Sequence, residues 1–245
     1  MSTPFYNVYN LSYNSNEVMK LANQMQKFKI KLRKTTKVDG DYYIFDFEKP
    51  EDMIFKEGQY GVFYHIDKDV EGRKMRAFSI ASCFDENCIL TAMKITDDPS
   101  DFKKKMLDLE EGSEMLFVGP TGKFTLEEDH NAVFIAGGIG ITPIRGLIRQ
   151  MELLGYDKTC ELIYSEADEI YPFKEDFDSI EFINSHYEYT IKGTTDRILE
   201  MSSKYQNESY YYVSGSPGFI TAIKEQLVSN GILNDHIKFD RFSGL

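Results

Sequence analysis

The first half of the chain shows a two-residue alternation of apolar and polar positions. Phe28, Ile30 and Leu32 alternate with lysines and an arginine, which predicts a strand with one buried face. Similar short strands, separated by turn residues, are predicted over 58–66, 76–83, 88–95 and 114–118. A short helix capped by Ser100 interrupts them. The pattern predicts a small antiparallel β-barrel over residues 27–126.

The second half alternates apolar runs with helical spacing. Strands are predicted over 132–136, 160–165, 210–214 and 236–242, with further strand segments at 181–184 and 187–191. Strands that alternate with helices are typical of a mainly parallel sheet covered on both faces. This predicts an α/β domain over 131–245. Residues 1–26 are predicted to be an extension packed on the surface, with a short helix near 17–25.

A strand, a glycine turn and a helix follow one another directly over 132–154. Thr142 is predicted to be the helix N-cap, and Pro143 the first helical residue. The turn before them contains three glycines that leave peptide groups accessible: Gly137, Gly138 and Gly140. Free amides and the positive end of the helix dipole would bind a phosphate. Tight packing between strand and helix is the alternative reason for such glycines.

A second succession of strand, glycine turn and helix is predicted further along the chain. After the strand ending at Ser214, Gly215 turns the chain, Ser216 is a candidate N-cap, and Pro217 begins a helix. Two such units in one half of the chain favour nucleotide binding over a purely structural role.

Composition and charge exclude several classes of function. A formal net charge of −12 argues against nucleic-acid binding. There is no run of eighteen apolar residues and no signal-peptide pattern, so we predict no membrane span and a cytoplasmic location. Cys83, Cys88 and Cys160 are too few and too scattered for an iron–sulfur cluster or a zinc site, and are interpreted as packing residues.

Four segments in order resemble motifs of the ferredoxin–NADP reductase family of flavoproteins. They are Arg76-Ala77-Phe78-Ser79, the turn Gly137–Pro143, Ser214-Gly215-Ser216-Pro217 and Phe242-Ser243-Gly244-Leu245. The resemblance spans about residues 27–245. It implies two domains, an antiparallel Greek-key barrel that binds FAD and a Rossmann-like parallel-sheet domain that binds NAD(P).

The first segment carries the flavin assignment. Arg76 suits a pyrophosphate, Phe78 offers a face for the isoalloxazine, and Ser79 can hydrogen-bond near flavin N5. The alternative is an ordinary barrel strand with a solvated arginine and a core phenylalanine. The family usually has Tyr at the position of Phe78, and its flavin reductases resemble the Phe form.

The resemblance implies a larger cofactor-binding set. Met93, Lys94 and Ile95 match a segment that lines the flavin with main chain, and Ser100 matches a phosphate-binding helix start. The lysines at 103–105 could assist the diphosphate or meet an acidic electron carrier, but a lysine run on a helix is usually a solvated face, and they are left out of the predicted set. The full predicted set is Arg76, Ala77, Phe78, Ser79, Met93, Lys94, Ile95, Ser100, Gly137, Gly138, Gly140, Ile141, Thr142, Pro143, Ser165, Glu166, Ser214, Gly215, Ser216 and Pro217.

Two departures from the family motifs bear on nucleotide chemistry. Ser214 replaces the usual Cys near the nicotinamide, which predicts slower hydride transfer. After Ser165 the chain has Glu166 and Asp168 where NADPH-using relatives often have an arginine, and a carboxylate there favours NADH by repelling a 2′-phosphate. The predicted catalytic residues are Ser79, Ser214 and Phe242. Phe242 would shield the flavin, or is a core residue of the last strand.

The resemblance implies that NADH or NADPH reduces bound FAD, which passes electrons to a ferredoxin, a flavodoxin or another acceptor. Two alternatives remain. The protein is a free flavin or ferric reductase that uses flavin as a diffusible substrate, or it is a flavin-binding subunit without catalytic activity.

Overall fold

A computed structural model describes residues 25–241. Most of the predicted amino-terminal extension and its helix lie outside the described residues, and so does Phe242.

The first sheet is antiparallel and nearly closed. Its strands are β1 (Lys27–Lys37), β2 (Tyr42–Glu48), β3 (Tyr60–His65), β4 (Met75–Ser79), β5 (Cys88–Lys94) and β6 (Glu114–Thr121). They lie in the order β4-β3-β6-β1-β2-β5. Just after β4, the amide of Ala81 donates a 2.8 Å bond to the carbonyl of Leu90 on β5, which brings the two edges together. The predicted antiparallel barrel is confirmed.

The barrel core follows from the alternation in β1. Phe28, Ile30 and Leu32 are buried, as predicted, and pack in one cluster with aromatic residues of the other strands. Helix α1 (Asp101–Leu107) contributes Phe102 to this cluster. Ser100 occupies the N-cap position as predicted, but its side chain accepts no capping hydrogen bond.

The second sheet is parallel throughout. Its strands are β7 (Asn131–Gly137), β8 (Cys160–Ser165), β9 (Ile183–Glu188), β10 (Ser209–Gly215) and β11 (Ile237–Arg241). Their order, β11-β10-β7-β8-β9, places β8 on one side of β7 and β10 on the other. The two strand segments predicted at 181–184 and 187–191 are one strand, β9. Its register with β8 runs from Cys160–Ile183 to Ser165–Glu188, after which Thr190 caps the next helix.

Helices cover both faces of this sheet. They are α2 (Ile141–Leu153), α3 (Lys174–Asp178), α4 (Ile191–Tyr205) and α5 (Pro217–Ser229). Phe134 of β7 packs in one core with α2, and its neighbours Val133 and Ile135 pack in the other with α4 and α5. This is the expected consequence of side chains alternating along a strand. Within residues 25–241, no helix is long and apolar enough to cross a membrane.

Candidate active site

The two predicted glycine turns meet at the carboxyl edge of the parallel sheet. One turn follows β7 and the other follows β10, and these strands are neighbours in the sheet. Successive strands are added on opposite sides of this pair, so it marks the point where the strand order reverses. In open α/β sheets, ligands bind in the crevice at that point. The topology thus supports a nucleotide site between the two turns.

Packing explains three of the four glycines in these turns. A Cβ on Gly140 would lie 2.2 Å from the carbonyl oxygen of Ser214, and a Cβ on Gly137 or Gly215 would lie 2.8 or 2.9 Å from the ring of Phe219. Gly138 differs, because its φ is +55° and its added Cβ would meet only the Glu166 carboxylate, at 3.0 Å. The glycines therefore pack the two turns against each other, and Gly138 faces the loop after β8.

The predicted cap of α2 was wrong. A 3-10 turn over Gly138–Gly140 runs directly into the helix, so Gly140 is the N-cap and Thr142 lies inside the first turn. Thr142 Oγ1 donates a 2.8 Å hydrogen bond to the carbonyl of Ile139. Pro143 still costs no hydrogen bond, because amides in the first turn have no partner within the helix. The side chains of Ile141, Thr142 and Pro143 are buried, which leaves main chain to meet a nucleotide.

The predicted start of α5 is confirmed. Ser216 is the N-cap, and its Oγ accepts a 3.3 Å hydrogen bond from the amide of Phe219. Pro217 is the first helical residue.

Ser79, at the end of β4, contacts the parallel-sheet domain. Its Oγ donates a 3.1 Å hydrogen bond to Oδ2 of Asp240 on β11, and both residues are buried. Burial raises the pKa of Asp240 to about 6, against the lowering effect of the bond from Ser79. Sequence reasoning missed Asp240. The only signal in the sequence was a carboxylate close behind apolar residues in a predicted strand.

Ser214 is fully buried beside this pair. It is a register partner of Asp240 on one side and of Ala136 on the other. Among the residues that the structure describes, its Oγ has no hydrogen-bond partner. A buried unpaired hydroxyl costs about 1–3 kcal/mol. The structure therefore brings the predicted residues Ser79 and Ser214 to the same residue, Asp240: Ser79 by a hydrogen bond and Ser214 as its register partner on β10.

Arg76 and Lys103 form a cationic cluster on the barrel. Arg76 Nη1 donates to the carbonyls of Arg73 and Met75 at 3.2 and 2.9 Å. Lys103 Nζ donates to the carbonyl of Lys94 at 2.7 Å. No ion pair with a carboxylate joins either side chain within residues 25–241.

The electrostatics of this cluster indicate an anion site. Burial and the charge of Arg73 lower the pKa of Arg76, and burial and the charge of Arg76 lower the pKa of Lys103. Partly buried cations that repel one another are stabilised by a bound anion such as a pyrophosphate. The interpretation of Lys103 as a solvated residue was wrong, since its side chain folds back on β5; Lys104 is the exposed lysine.

Phe78 lies in the barrel core and is 8% exposed. Its ring centroid is 5.4 Å from that of Phe63 and 6.1 Å from that of Phe102. An isoalloxazine could contact only the small exposed part of this ring without a local rearrangement.

The remaining predicted flavin contacts differ in exposure. Met93 and Ile95 are buried, Ala77 is half-buried, and Ser100 is exposed. The side chain of Lys94 forms an ion pair with Asp168 on the other domain. Met93, Lys94 and Ile95 can therefore offer a flavin their main chain, as the resemblance implies, more readily than their side chains.

The loop after β8 folds against the first glycine turn. Glu166 is 9% exposed, its Oε1 accepts a 3.4 Å hydrogen bond from the amide of Asp168, and its Oε2 lies on the Gly138 side. Its carboxylate therefore lies beside the turn rather than out in solvent. Ser165 is engaged elsewhere, since its Oγ lies 2.8 Å from Oγ1 of Thr194.

In the part of the chain that the structure describes, neither the three cysteines nor any group of possible metal ligands provides a redox or metal site. Cys83, Cys88 and Cys160 are buried free thiols, in keeping with a packing role. Across residues 25–241, no cluster of three or more His, Cys, Asp or Glu residues is placed to hold a metal ion.

The chain is similar in sequence to parts of electron-transfer systems. It is 26% identical over 217 residues to the reductase component of propane 2-monooxygenase from Mycolicibacterium goodii, a match that covers 80% of this chain and 61% of that protein. It is 24% identical over 230 residues to one subunit of the Na⁺-translocating NADH-quinone reductase of Pseudoalteromonas atlantica, covering 81% and 56%. The chain thus spans little more than half of either relative. No family model matches it.

Solved structures share the fold. The ferredoxin reductase in carbazole 1,9a-dioxygenase superposes with a TM-score of 0.74 at 17% identity, covering 89% of this chain and 70% of that one. A ferredoxin NADP⁺ reductase from Neisseria gonorrhoeae with bound FAD and NADP gives 0.70 at 17% identity, covering 88% and 98%. The chain therefore has the same two-domain fold as these ferredoxin reductases.

Proposed function

We propose that the protein is an NAD(P)H-dependent flavoprotein reductase that passes electrons from reduced FAD to an acceptor, preferably a protein. The observation that carries the proposal is the hydrogen bond from Ser79, in the barrel motif, to Asp240, which is the register partner of Ser214 at the edge where the two glycine turns meet. A flavin held by the barrel would there face a nucleotide held by the sheet. The sequence relatives, both named as parts of reductase systems, support this reading.

The charged residues present fit the pyrophosphate of FAD. Arg76 and Lys103 supply two cations without carboxylate partners among the described residues, which suits the pyrophosphate. When bound, the flavin supplies the chemistry of hydride acceptance and electron storage. Ser79 would orient its hydroxyl toward the flavin edge. Behind it, Asp240, with a pKa of about 6, can hold or release a proton near neutral pH.

The nucleotide would lie across the turn after β7, with its phosphates on main-chain amides at the start of α2. Glu166 lies beside Gly138, where its carboxylate can accept hydrogen bonds from ribose hydroxyls and would oppose a 2′-phosphate. We therefore propose NADH as the preferred donor. One relative is named for NADH, and one neighbour in structure holds NADP.

Absorption spectroscopy tests the proposal directly. The purified protein is mixed with FAD, separated from free flavin, and then reduced under nitrogen with NADH or NADPH in a stopped-flow instrument. We expect stoichiometric FAD and bleaching of its visible absorption band, faster with NADH. Bound FAD that neither nucleotide bleaches would contradict the proposal and favour a flavin-binding subunit without reductase activity.

The burial of Phe78 favours a second candidate, a reductase that uses free flavin as substrate. A ring that is 8% exposed offers little stacking surface and therefore weak flavin retention. In that case the protein would be colourless after gel filtration, yet would oxidise NADH whenever free FMN or riboflavin is added.

A further inference from the structure

Arg145 is a buried arginine on α2, outside the candidate site. It is 6% exposed, and its guanidinium donates four hydrogen bonds. Nε donates to Asp176 at 2.6 Å, Nη1 to Glu86 and to the carbonyl of Ala81 at 2.9 Å each, and Nη2 to Glu86 at 2.8 Å. The ring of Phe173 lies 5.0 Å from the guanidinium carbon.

These contacts join the two domains. Glu86 and the Ala81 carbonyl belong to the barrel segment that follows β4, whereas Asp176 and Phe173 lie on the same domain as Arg145. Glu86 is itself fixed, because its Oε2 accepts a 2.6 Å hydrogen bond from the amide of Cys83. The paired bonds between Arg145 and Glu86 therefore cross the domain boundary.

Both ends of this connection lie next to groups of the proposed site. Ala81 comes shortly after Ser79, and Arg145 lies in the second turn of the helix that begins at the glycine turn. The next residue, Gly146, brings the helix close to the barrel: a Cβ there would lie 3.3 Å from the carbonyls of Ile80 and Ser82. This contact therefore connects the helix that follows the glycine turn to the barrel segment that follows Ser79.

A buried ion pair adds little to the free energy of unfolding, because apolar side chains of similar volume in its place often give a protein that is equally or more stable. Its geometry is different, because two parallel bonds from a planar guanidinium fix orientation as well as distance. Such a pair is well suited to setting the relation between two domains.

We propose that Arg145 is a positioning residue that holds the nucleotide turn at the hydride-transfer distance from the flavin edge at Ser79. This inference rests on the proposed reductase function. It does not place Arg145 in contact with either cofactor.

The two carboxylates bound by Arg145 supply a matched pair of variants. Glu86→Gln removes the charge that crosses the domain boundary, and Asp176→Asn removes a charge within one domain. We expect Glu86→Gln to slow bleaching of bound FAD at saturating NADH by roughly tenfold or more, because small misplacements of reacting groups are costly. The dissociation constants for FAD and NADH should stay within about twofold, and Asp176→Asn should keep the native rate. Arg145→Lys keeps the charge but cannot make the two parallel hydrogen bonds of a guanidinium, so it should behave as Glu86→Gln does.

Urea unfolding without added cofactor gives a second readout. We expect the native protein and Asp176→Asn to unfold in one transition and Glu86→Gln to unfold in two, as the domains uncouple. Equal rates and equal unfolding profiles for Glu86→Gln and Asp176→Asn would overturn the inference. If native protein never transfers hydride but Glu86→Gln alone splits the transition, the proposed function fails while the domain connection stands.

Discussion

The hydroxyl of Ser79 donates a 3.1 Å hydrogen bond to the buried carboxylate of Asp240, which lies 161 residues further along the chain. The bond joins the carboxyl end of a barrel strand to the last strand of the parallel sheet. It places a group with a pKa of about 6 at the proposed point of electron transfer.

Asp240→Asn should change how stability depends on pH. Burial raises the pKa of the folded carboxyl from 3.8 to about 6, so the folded state binds the proton more tightly. The contribution of Asp240 to native stability is then greatest below about pH 4 and is lost as pH rises through 6. We expect the variant to gain roughly 1–3 kcal/mol relative to native protein between pH 4 and 7.5. Urea unfolding at both pH values measures this, with exposed Asp235→Asn as the control. If the difference in unfolding free energy between the variant and native protein were the same at pH 4 and pH 7.5, it would contradict a raised pKa for Asp240.

Arg76→Ala and Lys103→Met should each weaken FAD by roughly ten- to a hundredfold, because each removes a charge-assisted contact worth about 1.5–3 kcal/mol. Riboflavin, which has no phosphate, should bind almost unchanged. Fluorescence titration with both flavins measures the difference, and the exposed Lys104→Met is the control for Lys103. If FAD and riboflavin lost affinity equally, the assignment of this cluster to the flavin pyrophosphate would be wrong.

Glu166→Gln should improve the use of NADPH. A carboxylate about 4 Å from a 2′-phosphate opposes it by about 4 kcal/mol per unit charge at an effective dielectric of 20. Even a quarter of this energy is about a fivefold effect. We expect the variant to bind NADPH several-fold better in stopped-flow reduction, whereas the exposed Glu169→Gln should not. Native preference for NADPH would exclude this role.

Glu161→Gln should reduce stability at neutral pH without affecting the site. Burial opposes the charge of Glu161, but hydrogen bonds from His186 and Tyr205 lower its pKa to about 2. This stabilisation is present above about pH 4.5 and is lost as pH falls toward 2, which amounts to roughly 2–3 kcal/mol. Thermal unfolding from pH 7 to 3 should show a flatter profile for the variant. Because Glu161 is near the amino end of β8, NADH affinity should not change.

Gly140→Ala should disrupt the contact between the two glycine turns, since its Cβ would lie 2.2 Å from the Ser214 carbonyl oxygen. We expect a loss of several kcal/mol and of NADH binding. Gly218→Ala is the matched control, because nothing lies within 4 Å of its added Cβ and α5 should gain up to about 1 kcal/mol. Calorimetry and nucleotide titration compare the two. A tolerated Gly140→Ala would mean that the turns can separate.

The barrel and the parallel sheet could be predicted because their periodicities are local. Phe28, Ile30 and Leu32 face one core whatever the rest of the chain does. The helix α4 escaped prediction because its apolar residues are few and spread among Lys, Thr and Ser, and its cap at Thr190 lay within a predicted strand segment.

Sequence reasoning did not assign three charged residues that are defined by distant partners. Asp240 and Lys103 at the candidate site, and Arg145 outside it, look like ordinary surface charges in the sequence. Each is recognised only when a strand or carboxylate from elsewhere removes it from water. The roles predicted for the glycines were incomplete for the same reason, since Gly137 meets Phe219 only once both turns are in place.

The strand β11 pairs only with β10 among the described strands, yet it supplies the carboxylate that Ser79 contacts. During synthesis Ser79 leaves the ribosome long before Asp240. At about 5–20 residues per second, the intervening 161 residues take on the order of 10–30 seconds. The barrel strands are all complete well within that interval, so the barrel can form while its interface with the second domain is still absent. On the ribosome, the nascent chain therefore has time to fold the barrel before the last strand of the parallel sheet can be placed against it.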